Sequence, residues 1–87
     1  NTYVQLALAE NVETPESALF ALGDRGNILV QIAVASNPSS PCYLLERLSN
    51  TDEVELLEAI ASNPSAHDVT RTRCARRAER IKRQGSM

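Results

Sequence analysis

Three stretches of the chain are apolar almost all round: YVQLALA at 3–9, ILVQIAVA at 28–35 and VELLEAIA at 54–61. None alternates polar and apolar residues with period two, so strands are not predicted. Each reads instead as a short helix buried on more than one side. Between them lie narrower apolar stripes, PESALFAL at 15–22 and PCYLLERL at 41–48, which read as second helices with one buried face. A final helix is predicted from about residue 66 to the low eighties, with Cys74, Ala75, Ala78 and Ile81 on one side.

Laid on itself at a shift of 26, the chain matches in register. Asn11, Asn37 and Asn63 align, as do Ala7, Ala33 and Ala59, and Ala9, Ala35 and Ala61. The larger apolar positions follow: Val4, Val30 and Leu56, then Leu8, Val34 and Ile60. Pro15 matches Pro41, Leu19 matches Leu45, and Leu22 matches Leu48. A fixed period of this length is the mark of a helical array. The pattern predicts an all-α, right-handed solenoid of three two-helix repeats, 4–29, 30–55 and 56–81, within one domain at 1–84. Residues 85–87 are expected as a disordered tail. The second helix of each repeat is expected to be α or 3₁₀.

The connections carry their own signals. Thr14 and Ser40 are expected as N-cap hydroxyls, with Pro15 and Pro41 at the first helical position. Asp52 with Glu55, and Ser65 with Asp68, have capping-box spacing. Gly23 suits a left-handed C-cap, and residues 24–27 suit a turn. Asn37 precedes a proline and is expected to end the apolar helix there.

The stretch VQIAVASNPSSPCYLLERLSNTD, residues 30–52, resembles the leucine-rich repeat variant, a bacterial repeat of the form V-R-x-x-V-A-x-N-P-x-x-P-x-x-L-L-x-x-L-A-x-D. The resemblance extends over almost the whole chain and implies a right-handed superhelix of alternating α- and 3₁₀-helices used as an interaction surface. Ordinary HEAT-like and armadillo-like repeats are close to the same pattern. Three departures matter. The period is 26 where that family has 24, and the arginine after the first valine is Gln5, Gln31 and Leu57. The cysteine-rich iron–sulfur segment of some members has no counterpart, so no cluster is assigned.

Composition narrows the function classes. Eighty-seven residues, 43% of them hydrophobic and 23% charged, make one small globular domain. No apolar run is long enough to span a bilayer, and no basic segment precedes an apolar run as in a secretory leader. The chain opens on Asn1 rather than Met, which reads as processing, trimming or a fragment. Cys42 and Cys74 make neither a disulfide framework nor a zinc site, so a reduced cytoplasmic setting is expected. Tyr3, Phe20 and Tyr43 are the only aromatic residues, too few for base-stacking platforms.

The net charge of −2 is badly divided. Residues 1–69 hold ten acids and two bases, whereas residues 70–87 hold seven bases and one acid. Arg71, Arg73, Arg76, Arg77, Arg80 and Arg83 lie on this basic segment and are the candidate partner-binding residues. Arginine favours planar, bidentate partners such as carboxylate or phosphate. An acidic protein partner is the first reading and nucleic acid or another polyanion the second. A solvated cap that only offsets the acidic body is the plain structural one. The exposed start of the first apolar helix (Tyr3, Val4, Leu6 and Leu8) suggests homo-oligomerisation, a partner or further repeats.

No catalytic, metal or cofactor site is assigned. His67 is the sole histidine, and Asp68 beside it would point about 100° away on a helix. Cys74 stands among arginines that would favour its thiolate. It also aligns with Leu22 and Leu48, which predicts a buried small hydrophobe. Cys42 aligns with Glu16 and Asp68 and is expected to be partly exposed. LGDRGN at 22–27 lacks the glycine spacing and lysine of a phosphate loop, and the acids at 52–58 lack a calcium pattern.

Overall fold

A computed structural model describes residues 1–85. They form six α-helices: α1 Thr2–Glu10, α2 Glu16–Arg25, α3 Ile28–Ser36, α4 Cys42–Leu48, α5 Val54–Ala61 and α6 Asp68–Gly85. Among the described residues there is no strand and no 3₁₀ segment. Gly85, expected in a disordered tail, is the last residue of α6. The other two residues of that expected tail, 86 and 87, lie outside the described residues.

Helices α1, α3 and α5 pack side by side, α2 and α4 flank them, and α6 lies along α5. The molecule measures 39 × 27 × 15 Å. One core runs through it, built on Leu19, Val30, Val34, Leu44, Leu45, Leu56, Leu57 and Ile60, each at most 2% exposed. Burying a side chain of this size contributes about 1.5–3 kcal/mol. The helices are too short to be stable alone, so this packing holds them.

The corners show how the 26-residue register becomes structure. In each corner an asparagine folds its side chain onto the backbone two residues ahead: Glu13, Ser39 and Ser65 donate N–H to the Oδ1 of Asn11, Asn37 and Asn63, each at 2.9 Å. Asn37 Nδ2 donates to the Ala9 and Asn11 carbonyls at 2.8 and 3.0 Å. Asn63 Nδ2 donates to the Ala35 and Asn37 carbonyls at the same two distances. Ser39 Oγ reaches Val12 O and Ser65 Oγ reaches Pro38 O, both at 2.6 Å. Carbonyls at a helix C-terminus lack intrahelical donors. Here the Ala9 and Ala35 carbonyls, beside the ends of α1 and α3, are each served by an asparagine side chain about one period further along the chain.

Several expected caps are different. Pro15 and Pro41 themselves occupy the N-cap positions of α2 and α4, without a side-chain bond. The Thr14 and Ser40 hydroxyls turn backward and donate to Leu8 O (2.7 Å) and Val34 O (2.6 Å). They therefore close the preceding helix rather than open the next. α5 starts from Glu53 without a side-chain cap, because Asp52 is engaged by Arg77. Ser65 likewise spends its hydroxyl on Pro38 O, and α6 begins at Asp68 itself. True side-chain N-caps are Asn1, which accepts from Tyr3 and Val4 N–H, and Asn27, which accepts from Val30 N–H.

Gly23 is not a left-handed cap. It lies inside α2, and no described residue has positive φ. Side chains of Leu44, Leu48 and Val34 surround it at a distance that would be ordinary contact for a Cβ, and Gly26 takes the C-cap with φ −72°.

Candidate functional site

The connection between α4 and α5 and the exposed side of α6 enclose an open groove of about 910 Å³. One wall is Ser49, Asn50, Thr51 and Asp52. The other is α6, contributing Val69, Thr72, Arg73, Arg76, Arg77 and Arg80, with Leu57 and Cys74 beneath. Helical geometry produces this grouping: residues 69, 73, 76 and 80 share one stripe, while Thr70, Cys74 and Ala78 form the buried one. Ala75, expected on the buried side, is exposed, and Arg71 is half-buried in its place.

Of the six candidate arginines, Arg73, Arg76, Arg77 and Arg80 come together in the groove, and Arg71 and Arg83 do not. Arg71 pairs with Asp68 one turn away, and Arg83 Nε lies 3.8 Å from Glu79. Within the groove the four arginines are of two kinds. Arg73 donates to Glu46 Oε1 (3.2 Å) and Ser49 Oγ (3.1 Å). Arg77 Nε donates to Thr51 O and Asp52 Oδ1, both at 3.1 Å. These two therefore staple α6 to the α4–α5 connection. Lys82 does the same toward α5 through Glu58. Arg76 and Arg80, in contrast, make no ion pair among the described residues.

These intramolecular partners were not identified from the sequence, although a signal was there. Arg73, Arg77 and Lys82 meet acids 24–27 residues earlier, about one period upstream. Arg47 provides the precedent. It aligns with Arg73 and sits 5.3 Å from the centroid of Phe20, also 27 residues earlier, while pairing with Asp24 at 2.7 Å. Glu46 stands where Phe20 stands one period before, so a ring–guanidinium contact in one pair of units becomes an ion pair in the next.

The Glu46 carboxyl is held below the ordinary glutamate range, first by the Thr70 hydroxyl and then by Arg73. A depressed carboxyl favours the fold above its unfolded value, and that contribution is lost as the pH falls through the folded value. Glu46→Gln is therefore expected to lower the melting temperature at neutral pH, with the gap to the parent chain closing under acid conditions. Thermal melts of both chains from pH 7 down to about pH 3 check this. A gap that stays constant with pH would contradict it.

Burial pushes the Cys74 thiol up, outweighing the nearby Arg73. Cys74 is 1% exposed, in agreement with its alignment to leucines rather than with a reactive thiolate. Cys42 is half-buried, and both cysteines are free. His67 is exposed ahead of α6, and its carbonyl accepts the Arg71 N–H at 2.9 Å. Among the described residues no group of three or more His, Cys, Asp or Glu is placed to hold a metal ion, and no helix is long and apolar enough to cross a membrane.

No family model matches the chain, and no curated protein or solved structure matches it either.

Proposed function

We propose that this chain is a non-catalytic protein-interaction module: a right-handed α-solenoid of three two-helix repeats, of the leucine-rich repeat variant type, with α6 as a basic cap. Its partner is an acidic protein segment held in the groove beside α6. The observation that supports this is the division of labour among the arginines. Arg73 and Arg77 are consumed in holding α6 to the body, whereas Arg76 and Arg80 line the same groove without acidic partners among the described residues.

Arg76 and Arg80 are one helical turn apart, about 6 Å along the axis. That matches carboxylates at i and i+4 of a helix, or at alternate residues of an extended strand, whose repeat is about 6.6–6.8 Å. Arginine presents a planar fork suited to carboxylates. Val69, 74% exposed on the same wall, offers an apolar contact beside the charges. Polyanion binding is the second reading, favoured by the same arginines. Asp52 and Asp68 also line the groove and oppose a continuous phosphate chain.

The test is a fluorescence-anisotropy titration of the full chain with a helical peptide bearing glutamates four residues apart and one leucine. A single-stranded oligonucleotide of similar charge is titrated in parallel. Joint Arg76→Glu and Arg80→Glu substitution is expected to weaken the peptide by about tenfold or more, equivalent to about 1.4 kcal/mol. Absence of peptide binding at low salt would remove the acidic-partner reading. An oligonucleotide bound more tightly than the peptide, with a steep salt dependence, would establish the polyanion reading instead.

A further inference from the structure

The two ends of the helical row are not alike. Val30 and Val34, and likewise Leu56 and Ile60, are at most 2% exposed. Their register equivalents in α1, Val4 and Leu8, are 59% and 46% exposed. The same holds in α2: Ala18 is half-buried where Leu44 and Thr70 are buried, and Leu22 is more open than Leu48 or Cys74. Tyr3 does not belong to this set, because Leu29 at the same register is exposed too.

Polar groups repeat the asymmetry. Asn37 and Asn63 are 2% and 3% exposed, and each gives its Nδ2 to two carbonyls of the preceding corner. Asn11 has the same side-chain bond to the backbone ahead of it, through Oδ1, but the residue is exposed and its Nδ2 makes no hydrogen bond among the described residues. At the opposite end the register closes. Leu19 and Leu45, both fully buried, are succeeded at the same register by Arg71. A charged side chain there suits a terminus and not another packed layer.

From this we infer that the α1 edge is an interface for one more two-helix unit of the same 26-residue kind. The register states what that unit must supply. It needs a helix C-terminus with two carbonyls two residues apart for Asn11 Nδ2, as Ala9 and Asn11 supply for Asn37. It also needs an alanine and a leucine at the places of Ala9 and Leu19, to cover Val4 and Leu8. A second copy of this chain stacked head to tail does not meet the requirement, because its trailing edge carries Arg71 where the leucine is needed.

The inference rests on the repeat reading, and two extended chains separate the two. In the first, residues 28–53 are joined directly ahead of Thr2 of the full chain, which keeps the register. In the second, residues 30–55 are duplicated in place ahead of Leu56. In a repeat array each added unit contributes its own stability and one interface, so both chains are expected to melt cooperatively above the natural one, by about 5 °C or more. Asn11→Ala is then expected to lower the midpoint by about 5 °C or more in the upstream-extended chain and by about 2 °C or less in the natural chain. Stabilisation by the internal duplication alone would overturn the edge interface and leave the repeats standing. Failure of both would overturn the repeat reading along with it. Equal effects of Asn11→Ala in the two chains would also overturn the edge interface. So would sedimentation of the natural chain as a dimer that Leu8→Glu dissociates, since a second copy would then occupy the edge.

Discussion

Asn37→Ala is expected to lower the thermal midpoint by about 10 °C or more, far beyond a typical loss of one polar side chain. Asn37 is 2% exposed and makes three bonds: Nδ2 to the Ala9 and Asn11 carbonyls, and Oδ1 from the Ser39 N–H. The Ala9 carbonyl sits at the end of α1. In a continuing helix it would be met by the N–H of Glu13, but that N–H is turned to Asn11 Oδ1. Removing Asn37 thus leaves an acceptor enclosed between two helices without a donor. Stranding one such group costs about 1–3 kcal/mol, and the other two bonds add about 0.5–1.5 kcal/mol each. A domain of this size has a total stability of only about 4–13 kcal/mol. Asn63→Ala, which strands the Ala35 carbonyl in the same way, should be as severe. Asn11→Ala in the natural chain should be mild, because only the Glu13 N–H loses a partner there. Three melting curves decide the matter. Equal losses at all three positions would show that the inter-helix bonds carry no particular weight.

Gly26→Ala is the second large effect, expected to destabilise by about 3 kcal/mol. A methyl at this corner would lie 2.4 Å from the Leu22 carbonyl oxygen, 2.5 Å from Val30 Cγ1 and 2.7 Å from Val30 Cβ. Two of these atoms are fixed to the backbone, so no side-chain rotation relieves the clash. The α2–α3 corner must open, which also loosens the bond from Gly26 N–H to Leu22 O at 2.8 Å. Val30 is fully buried at the centre of the row, so the disturbance reaches the core directly. Gly23→Ala is the control. There the new carbon meets Leu44, Leu48 and Val34 side chains at 3.4–3.6 Å, ordinary contact. Within a helix the exchange gains about 0.5–1 kcal/mol in propensity, so that variant should melt at or above the parent temperature. Chemical denaturation of both variants provides the comparison. Parity between Gly26→Ala and the natural chain would mean that the corner yields easily.

Helix content and the period were legible because both rest on local rules. Apolar residues all round at 28–35 and 54–61 have few outlets other than burial between neighbours, and the structure places Val30, Val34, Leu56 and Ile60 in the core. The matches of Ala9 with Ala35 and of Leu19 with Leu45 mark packed positions for the same reason. Cys74 shows the strength of register over local surroundings. Its neighbours are arginines, yet its alignment with Leu22 and Leu48 foretold burial.

The capping details and the site were less legible, because they depend on groups brought from one period away. Thr14 and Ser40 stand before prolines as good N-caps do. Yet a last-turn carbonyl behind each, Leu8 O and Val34 O, lies within reach of its hydroxyl and takes it as a second donor. Asp52 has the spacing of a capping residue, but Arg77 engages it first. Six arginines could be named as one basic face. Only the packing of α6 on α5 separates the staples, Arg73 and Arg77, from Arg76 and Arg80, which make no ion pair among the described residues, and sets Arg71 and Arg83 outside the groove.

The sequence by itself therefore determined where the helices lie to within a few residues at their ends, and at what interval the apolar pattern returns, since periodicity acts within a few turns of chain. The same local rules place Asp24 and Arg25 in a turn, whereas they close α2. Tertiary structure decided what each polar group does. A hydroxyl, amide or guanidinium takes the donor or acceptor that packing brings near, and burial penalises whatever it leaves unserved.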